Sequence, residues 1–235
     1  MHLFLTDTTQ GPYATLPSDE SKHCIRVLRM QLGDELHVTS GDGTLCRARI
    51  VDPDPSACQV EIQERLPNYN ARPFQLHIAV APTKNNARLE WFVEKAVEIG
   101  VDRITPIICR HSERLSLNTD RLHKIALSAM KQSLQAKLPQ IDPPTPLEHL
   151  LNEPLPSCPL VCYCTGNDRH TLHQFYTPGS DALVLIGPEG DFSPDEINKC
   201  LALGFQPVTL GTNRLRTETA ALYALTAINF LNNPS

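Results

Sequence analysis

The sequence predicts an α/β protein with a mostly parallel sheet, preceded by a small β-rich domain. Three observations carry that expectation. Unbroken apolar runs, above all Ala182-Leu183-Val184-Leu185-Ile186, read as strands buried on both faces, as in parallel sheets. From residue 76 onward such runs alternate with segments of helical spacing. Before residue 68 the pattern is instead one of short alternating strands and tight turns. Pro67, Asn68, Asn70 and Pro73 mark a linker, giving domains at 1–68 and 74–235.

In the first domain, residues 1–5 are a candidate strand, and Ser18 is placed to cap a short helix running through Arg29. Gly33-Asp34 turns the chain into a strand at 35–39, Gly41-Asp42-Gly43 forms a hairpin turn, and 44–51 returns. A last strand at 59–62 completes a set that suits a small barrel. His23, Arg26 and Arg29 are three apart, which puts them on adjacent turns of one helix. Such a face meets phosphates in some proteins and only solvent in most.

In the second domain, residues 76–81 form a strand and 82–86 a loop. Leu89, Phe92, Val93, Ala96 and Val97 then follow helical spacing until Gly100 stops the helix. A strand at 104–109, a helix introduced by Asn118, and a strand at 160–164 follow. The run ending at Ile186 leads into Gly187-Pro188-Glu189-Gly190-Asp191-Phe192, a sharp turn, then a helix with Ser193 as N-cap, Pro194 at its first position and Glu196 completing a capping box. Pro207-Val208-Thr209-Leu210-Gly211 repeats the scheme, with Thr217 a candidate N-cap for the final helix.

At 235 residues and net charge −5, the chain is long enough for a sizeable core and gives no global nucleic-acid signature. No apolar run reaches membrane-span length, and the eight cysteines include no Cys-x-x-Cys pair, so no membrane, no metal and a cytoplasmic location are expected. Two glycine-ended strands feeding capped helices suggest one ligand between two loops, at the carboxyl ends of strands where open α/β sheets bind ligands. Neither loop is a P-loop, and Glu189 and Asp191 would repel a polyphosphate. A neutral or cationic ligand gripped by backbone fits these loops. So do two ordinary strand–helix turns.

Ile186-Gly187-Pro188-Glu189-Gly190 with Phe192-Ser193, followed by Leu210-Gly211 and Leu215-Arg216-Thr217-Glu218-Thr219-Ala220, resembles the two C-terminal motifs of the ribosomal RNA small subunit methyltransferase E family, within the SPOUT superfamily. His23-Cys24-Ile25-Arg26-Val27-Leu28-Arg29 with Gly33-Asp34 is similar to the PUA-like RNA-binding domain of the same family. The resemblance implies a C-terminal trefoil knot, a homodimer, S-adenosylmethionine as cofactor, and methylation of a uracil N3 in small-subunit (16S) ribosomal RNA, free or in the assembled subunit.

On that reading the cofactor is held by Cys164, Thr165, Leu185, Ile186, Gly187, Glu189, Gly190, Leu210, Gly211, Leu215 and Thr217. The glycines allow close backbone approach and the leucines, if not plain core, pack the adenine. Glu189 either complements the sulfonium or caps a turn. Methylating uracil N3 removes a proton and builds charge on the flanking carbonyl oxygens, so an arginine and a carboxylate are wanted, and Arg216 and Glu218 are nearest. Glu218 is better suited to the positive end of its helix, where a first-turn carboxylate is stabilised. RNA contacts are expected from His23, Arg26, Arg29, Lys84, Arg88 and Arg114, as one basic track.

Three residues depart from the family pattern. Asp191 stands at a common third loop glycine, where a positive φ is harder for a side chain to adopt. Asn213 replaces an arginine, with Arg214 displaced by one, and Gln135 replaces another arginine. Competing expectations are a SPOUT enzyme acting on a ribose 2′-hydroxyl or a guanine, and a non-catalytic RNA-binding protein of the same fold.

Overall fold

The computed structural model describes residues 2–164 and 170–232. The chain divides into two compact units, Met1–Ala71 with Leu127–Leu138, and Arg72–Ala126 with Pro139–Ser235.

The first unit contains β1 (Leu3–Leu5), β2 (Tyr13–Thr15), α1 (Ser18–Lys22), β3 (Glu35–Thr39), β4 (Leu45–Asp52) and β5 (Gln59–Leu66). They form a five-stranded sheet in the order β1-β3-β4-β5-β2, parallel between β1 and β3 and antiparallel elsewhere. Strand alternation sorts the residues of β4. Cys46, Ala48 and Ile50 enter a core with Phe4, Leu36, Val38 and Val60, while Arg47 and Arg49 point outward toward Glu35. Residues 136–138 belong here because the Thr39 hydroxyl and Gly43 N–H both donate to the Ala136 carbonyl, and Leu138 N–H donates to Gly41.

The helix expected over 18–29 takes another form. Ser18 is the first helical residue, not the cap, and α1 gives way to a π-helical turn over His23–Val27 in which Leu28 N–H reaches back to His23. Arg29 lies beyond it at φ +57°. His23, Arg26 and Arg29 are exposed, but the wider turn means they do not share the i, i+3 face of a regular helix. The turn widens while Cys24 is buried and Ile25, Leu28 and Met30 pack on the core.

The second unit runs β6 (Leu76–Val80), α2 (Asn86–Ile99), β7 (Arg103–Ile108), α3 (Thr119–Gln132, whose last residues belong to the first unit), β8 (Gln140–Ile141), β9 (Thr145–Pro146), α4 (Leu147–Leu150), β10 (Cys158–Cys162), β11 (His170–Thr171), α5 (Leu172–Phe175), β12 (Ala182–Ile186), α6 (Pro194–Ala202), β13 (Gln206–Thr209) and α7 (Thr217–Asn232). The sheet order is β11-β13-β10-β12-β6-β7-β8, with β9 also on β7, and every pairing is parallel. All five residues of β12 are buried, as its unbroken apolar run requires. Leu183 and Leu185 face one side, against Val161, Ile197, Cys200 and Phe205, and α7 lies against α2 and β6.

Two polar clusters anchor this unit. The Arg72 guanidinium donates to Gly100 O (2.7 Å) and Asn229 Oδ1 (2.8 Å) and pairs with Asp102, tying the end of α2 to α7. Below the sheet, Asp142 accepts from Thr105, Gln140 and Arg103, and His77 Nε2 lies 2.7 Å from the Thr105 hydroxyl. Burial holds the His77 pKa down at about 4, so this imidazole is neutral in the folded protein at ordinary pH. Among the described residues, no helix is long and apolar enough to cross a membrane.

Candidate active site

β10, β12 and β13 are neighbours in the parallel sheet, so their carboxyl ends open at one place. The segments that follow enclose a cavity of about 310 Å³, lined by residues 162–164, by 186–189 with Asp191, and by 208–217 without Thr212, with Ala220 of α7. The two glycine-bearing loops thus share one hollow. Thr217 Oγ1 donates to Gly187 O at 3.3 Å and Arg214 Nη2 to Glu189 O at 3.3 Å, joining one loop to the other.

The loop after β12 combines hydrogen bonds of its own with bonds to neighbouring segments. Asp191 adopts φ +64° and donates its N–H to Pro188 O, closing the turn. Its carboxylate accepts from Phe192 N (2.9 Å) and Cys164 N (2.8 Å), the latter bonding this loop to the one after β10. Aspartate tolerates the left-handed region when its side chain bonds local backbone, so the missing glycine is replaced by a tether. Ser193 and Glu196 form the expected capping box, and Glu196 also accepts from Arg110 N (2.8 Å). Glu189 Oε1 accepts from Lys84 N (3.0 Å) while the residue still lines the cavity, so it caps a neighbouring turn without leaving the site.

The loop after β13 is more open. Gly211 has φ +113°, and a Cβ placed there would meet no atom within 4 Å. Residues 211–214 and Arg216 are exposed. Thr217 is the first residue of α7, its hydroxyl committed to Gly187 rather than to capping, and Ala220 N–H bonds back to Arg216 O.

Of the expected cofactor residues, Cys164, Ile186, Gly187, Glu189, Leu210, Gly211, Leu215 and Thr217 line the cavity. Leu185 does not: strand alternation turns it into the core, its neighbour Ile186 to the cavity. Gly190 does not line it either; a Cβ there would lie 3.1 Å from the His111 Cβ, so its bareness admits the loop after β7. Gly187 lines the cavity, yet its Cβ position faces the Phe192 ring at 3.0 Å, so internal packing alone demands glycine. Thr165 lies outside the described residues. Asp191, Asn213 and Arg214, singled out only as departures, also line the cavity.

The two candidate catalytic residues separate. Arg216 lines the cavity and is exposed. Glu218 is buried, does not line the cavity, and has Oε1 3.8 Å from Arg88 Nε, while its Oε2 lacks a partner among the described residues. The basic residues of this unit are also engaged internally. Lys84 Nζ pairs with Glu113 at 2.8 Å, Arg114 donates to Lys84 O at 3.1 Å, and Arg88 faces Glu218.

The cavity is polarised. Glu189 and Asp191 of the loop after β12 line it, together with Arg214, Arg216 and the amino end of α7, so both signs of charge are present. A flat apolar group with a dipolar tail suits such a space, whose volume is that of a small-molecule site.

Comparison with known proteins supports a specific family. Residues 70–229 match the model of an RNA methyltransferase domain, and residues 16–63 that of an RNA methyltransferase PUA domain. The chain is 43% identical to a crystal structure described as a probable rRNA-methyltransferase from Porphyromonas gingivalis, with TM-score 0.92 over 99% of this chain and 98% of that one. A ribosomal RNA small subunit methyltransferase E from Neisseria gonorrhoeae, solved bound to S-adenosylmethionine, is 26% identical with TM-score 0.87, covering 98% of each chain. The enzyme of the same name from Mesomycoplasma hyopneumoniae is 32% identical over 73% of this chain and 77% of its own.

Proposed function

Since this chain belongs to the ribosomal RNA small subunit methyltransferase E family, we propose that it methylates N3 of a uracil in small-subunit (16S) ribosomal RNA. The observation that carries the reading is the single cavity between 186–191 and 208–217. S-adenosylmethionine is the cofactor, and when bound it supplies a methyl group made electrophilic by its sulfonium.

The residues fit that group. Gly211 leaves open space where a side chain would stand, Ile186, Leu210 and Leu215 offer apolar walls, and Cys164 and Gly187 line the same hollow. Glu189 complements a cation. Arg216 is the group that stabilises charge on the uracil carbonyl oxygens as N3 loses its proton. Glu218 is not the proton acceptor, because it is buried and does not line the cavity; its task is to hold Arg88 against the first turn of α7.

RNA is held by the exposed His23, Arg26 and Arg29, and by Lys84, whose exposed ion pair with Glu113 is weak enough to exchange for phosphate. Arg88 and Arg114 serve the fold instead. The PUA match at 16–63 supports the first group. The 1–68 and 74–235 division, with 127–138 of the second segment grouped with the first unit, a trefoil knot around the cavity loops, a homodimer, a cytoplasmic location and work without metal complete the proposal; family membership supports them.

The test is nucleoside mass spectrometry of small-subunit ribosomal RNA, free or in assembled subunits, after incubation with the protein and labelled S-adenosylmethionine. The label is expected in N3-methyluridine. Label on a ribose 2′-hydroxyl or a guanine would place the chain with other SPOUT chemistries. No label with intact RNA binding would make it a non-catalytic binder.

A further inference from the structure

We propose that Arg214 is the cation that meets the carboxylate of the cofactor's amino-acid tail. This deepens the reading above and rests on it. The argument begins from the charges around the cavity. S-adenosylmethionine carries a carboxylate as well as its sulfonium and ammonium, so a site that binds it must offer both signs. Glu189 and Asp191 supply the negative side. Both oxygens of Asp191 are already accepting backbone N–H groups, which leaves Glu189 as the freer acid.

The positive side has two arginines, and their settings differ. Arg216 sits at the first turn of α7, its carbonyl accepting from Ala220. Arg214 lies farther out on the loop, and its side chain crosses the opening to reach Glu189 O on the opposite lip. That contact, at 3.3 Å, is long for an N–H···O bond, and among the described residues the rest of the guanidinium fork is uncommitted at the cavity. A planar fork with spare donors is matched to a carboxylate, which it grips with two parallel bonds. The amino end of α7, whose residues Thr217 and Ala220 line the same cavity, adds a partial positive charge. Arg216 is then left to face the reacting base, and the two arginines divide the work.

Calorimetric titration separates this role from a latch between the two loops. The ligands are S-adenosylmethionine and its decarboxylated form, which keeps the sulfonium and the ammonium. Arg214→Ala is expected to weaken S-adenosylmethionine roughly tenfold or more, to leave the decarboxylated ligand unchanged, and Arg214→Lys is expected to recover much of the loss. Equal weakening of both ligands would reduce Arg214 to a structural latch, and no weakening of either would remove it from the site; each result overturns the proposal. If the unaltered protein binds neither ligand, the methyltransferase reading falls with it, an outcome distinct from the other two.

Discussion

The two loops that enclose the cavity look alike in sequence, each a glycine at the end of a strand before a helix, yet they are built on opposite principles. The loop after β12 is framed from within: Gly187 makes room for Phe192, Gly190 for His111, and Asp191 ties its own turn to Cys164. The loop after β13 is held through its second half, by Arg214 and Thr217 bonding to the first loop, while Gly211 stands in open space. Gly187 and Gly190 answer to close packing, whereas Gly211 answers to its own backbone at φ +113°, with no neighbour crowding it. One lip is the frame, and the other is the grip.

That contrast can be broken from the grip side first. Arg216→Ala is expected to lower kcat by about a hundredfold, the usual loss for one preorganised charge donor, with the affinity for S-adenosylmethionine little changed. Rate and affinity falling together would make Arg216 part of cofactor binding.

On the frame side, Asp191→Ala removes the acceptor for Cys164 N and leaves an alanine at φ +64°. A cost of about 2–3 kcal/mol in unfolding free energy is expected. Asp191→Gly should recover the backbone part only, and equal stability of the two variants would show that the tether contributes nothing. Gly187→Ala presses a methyl against the Phe192 ring and is expected to cost about 1–3 kcal/mol by denaturant unfolding. Gly211→Ala should cost about 1–3 kcal/mol of backbone strain at φ +113° without meeting a neighbouring atom, and should in addition weaken cofactor binding. Unchanged cofactor affinity in Gly211→Ala would reverse the division into frame and grip.

A pH titration tests whether the sheet beneath both loops is indifferent to that division. The folded-state pKa of His77, about 4, lies below the ordinary value of 6.5 because burial disfavours the charged ring. The unfolded chain therefore binds the extra proton first as pH falls. Stability is full above about pH 6.5 and declines as pH drops toward 4, by about 2 kcal/mol between pH 7 and 5. His77→Gln should remove that slope, and an unchanged slope in the variant would assign the acid sensitivity elsewhere.

Much of this was legible in the sequence, and the reasons are local. The apolar run of β12, the Ser193–Glu196 capping box and the stop at Gly100 depend on neighbours a few residues away, and each is present. What escaped depends on distant partners or on very short elements. Asp191 reads as a handicap until Cys164, far back in the chain, donates to it. Leu185 and Ile186 are both apolar, and only the sheet decides which one faces the cavity. Glu218 looks like a free acid beside Arg216 until α2 brings Arg88 to it. The π-turn at His23–Val27 and the brief strands β2, β8, β9 and β11 have too few residues to show a period.

The central claim is that the two lips serve one ligand, and amide hydrogen exchange with and without S-adenosylmethionine tests it most directly. The account predicts that residues 186–191 and 208–217 gain protection together on titration. Protection confined to one lip, or appearing elsewhere in the chain with both lips unchanged, would contradict it.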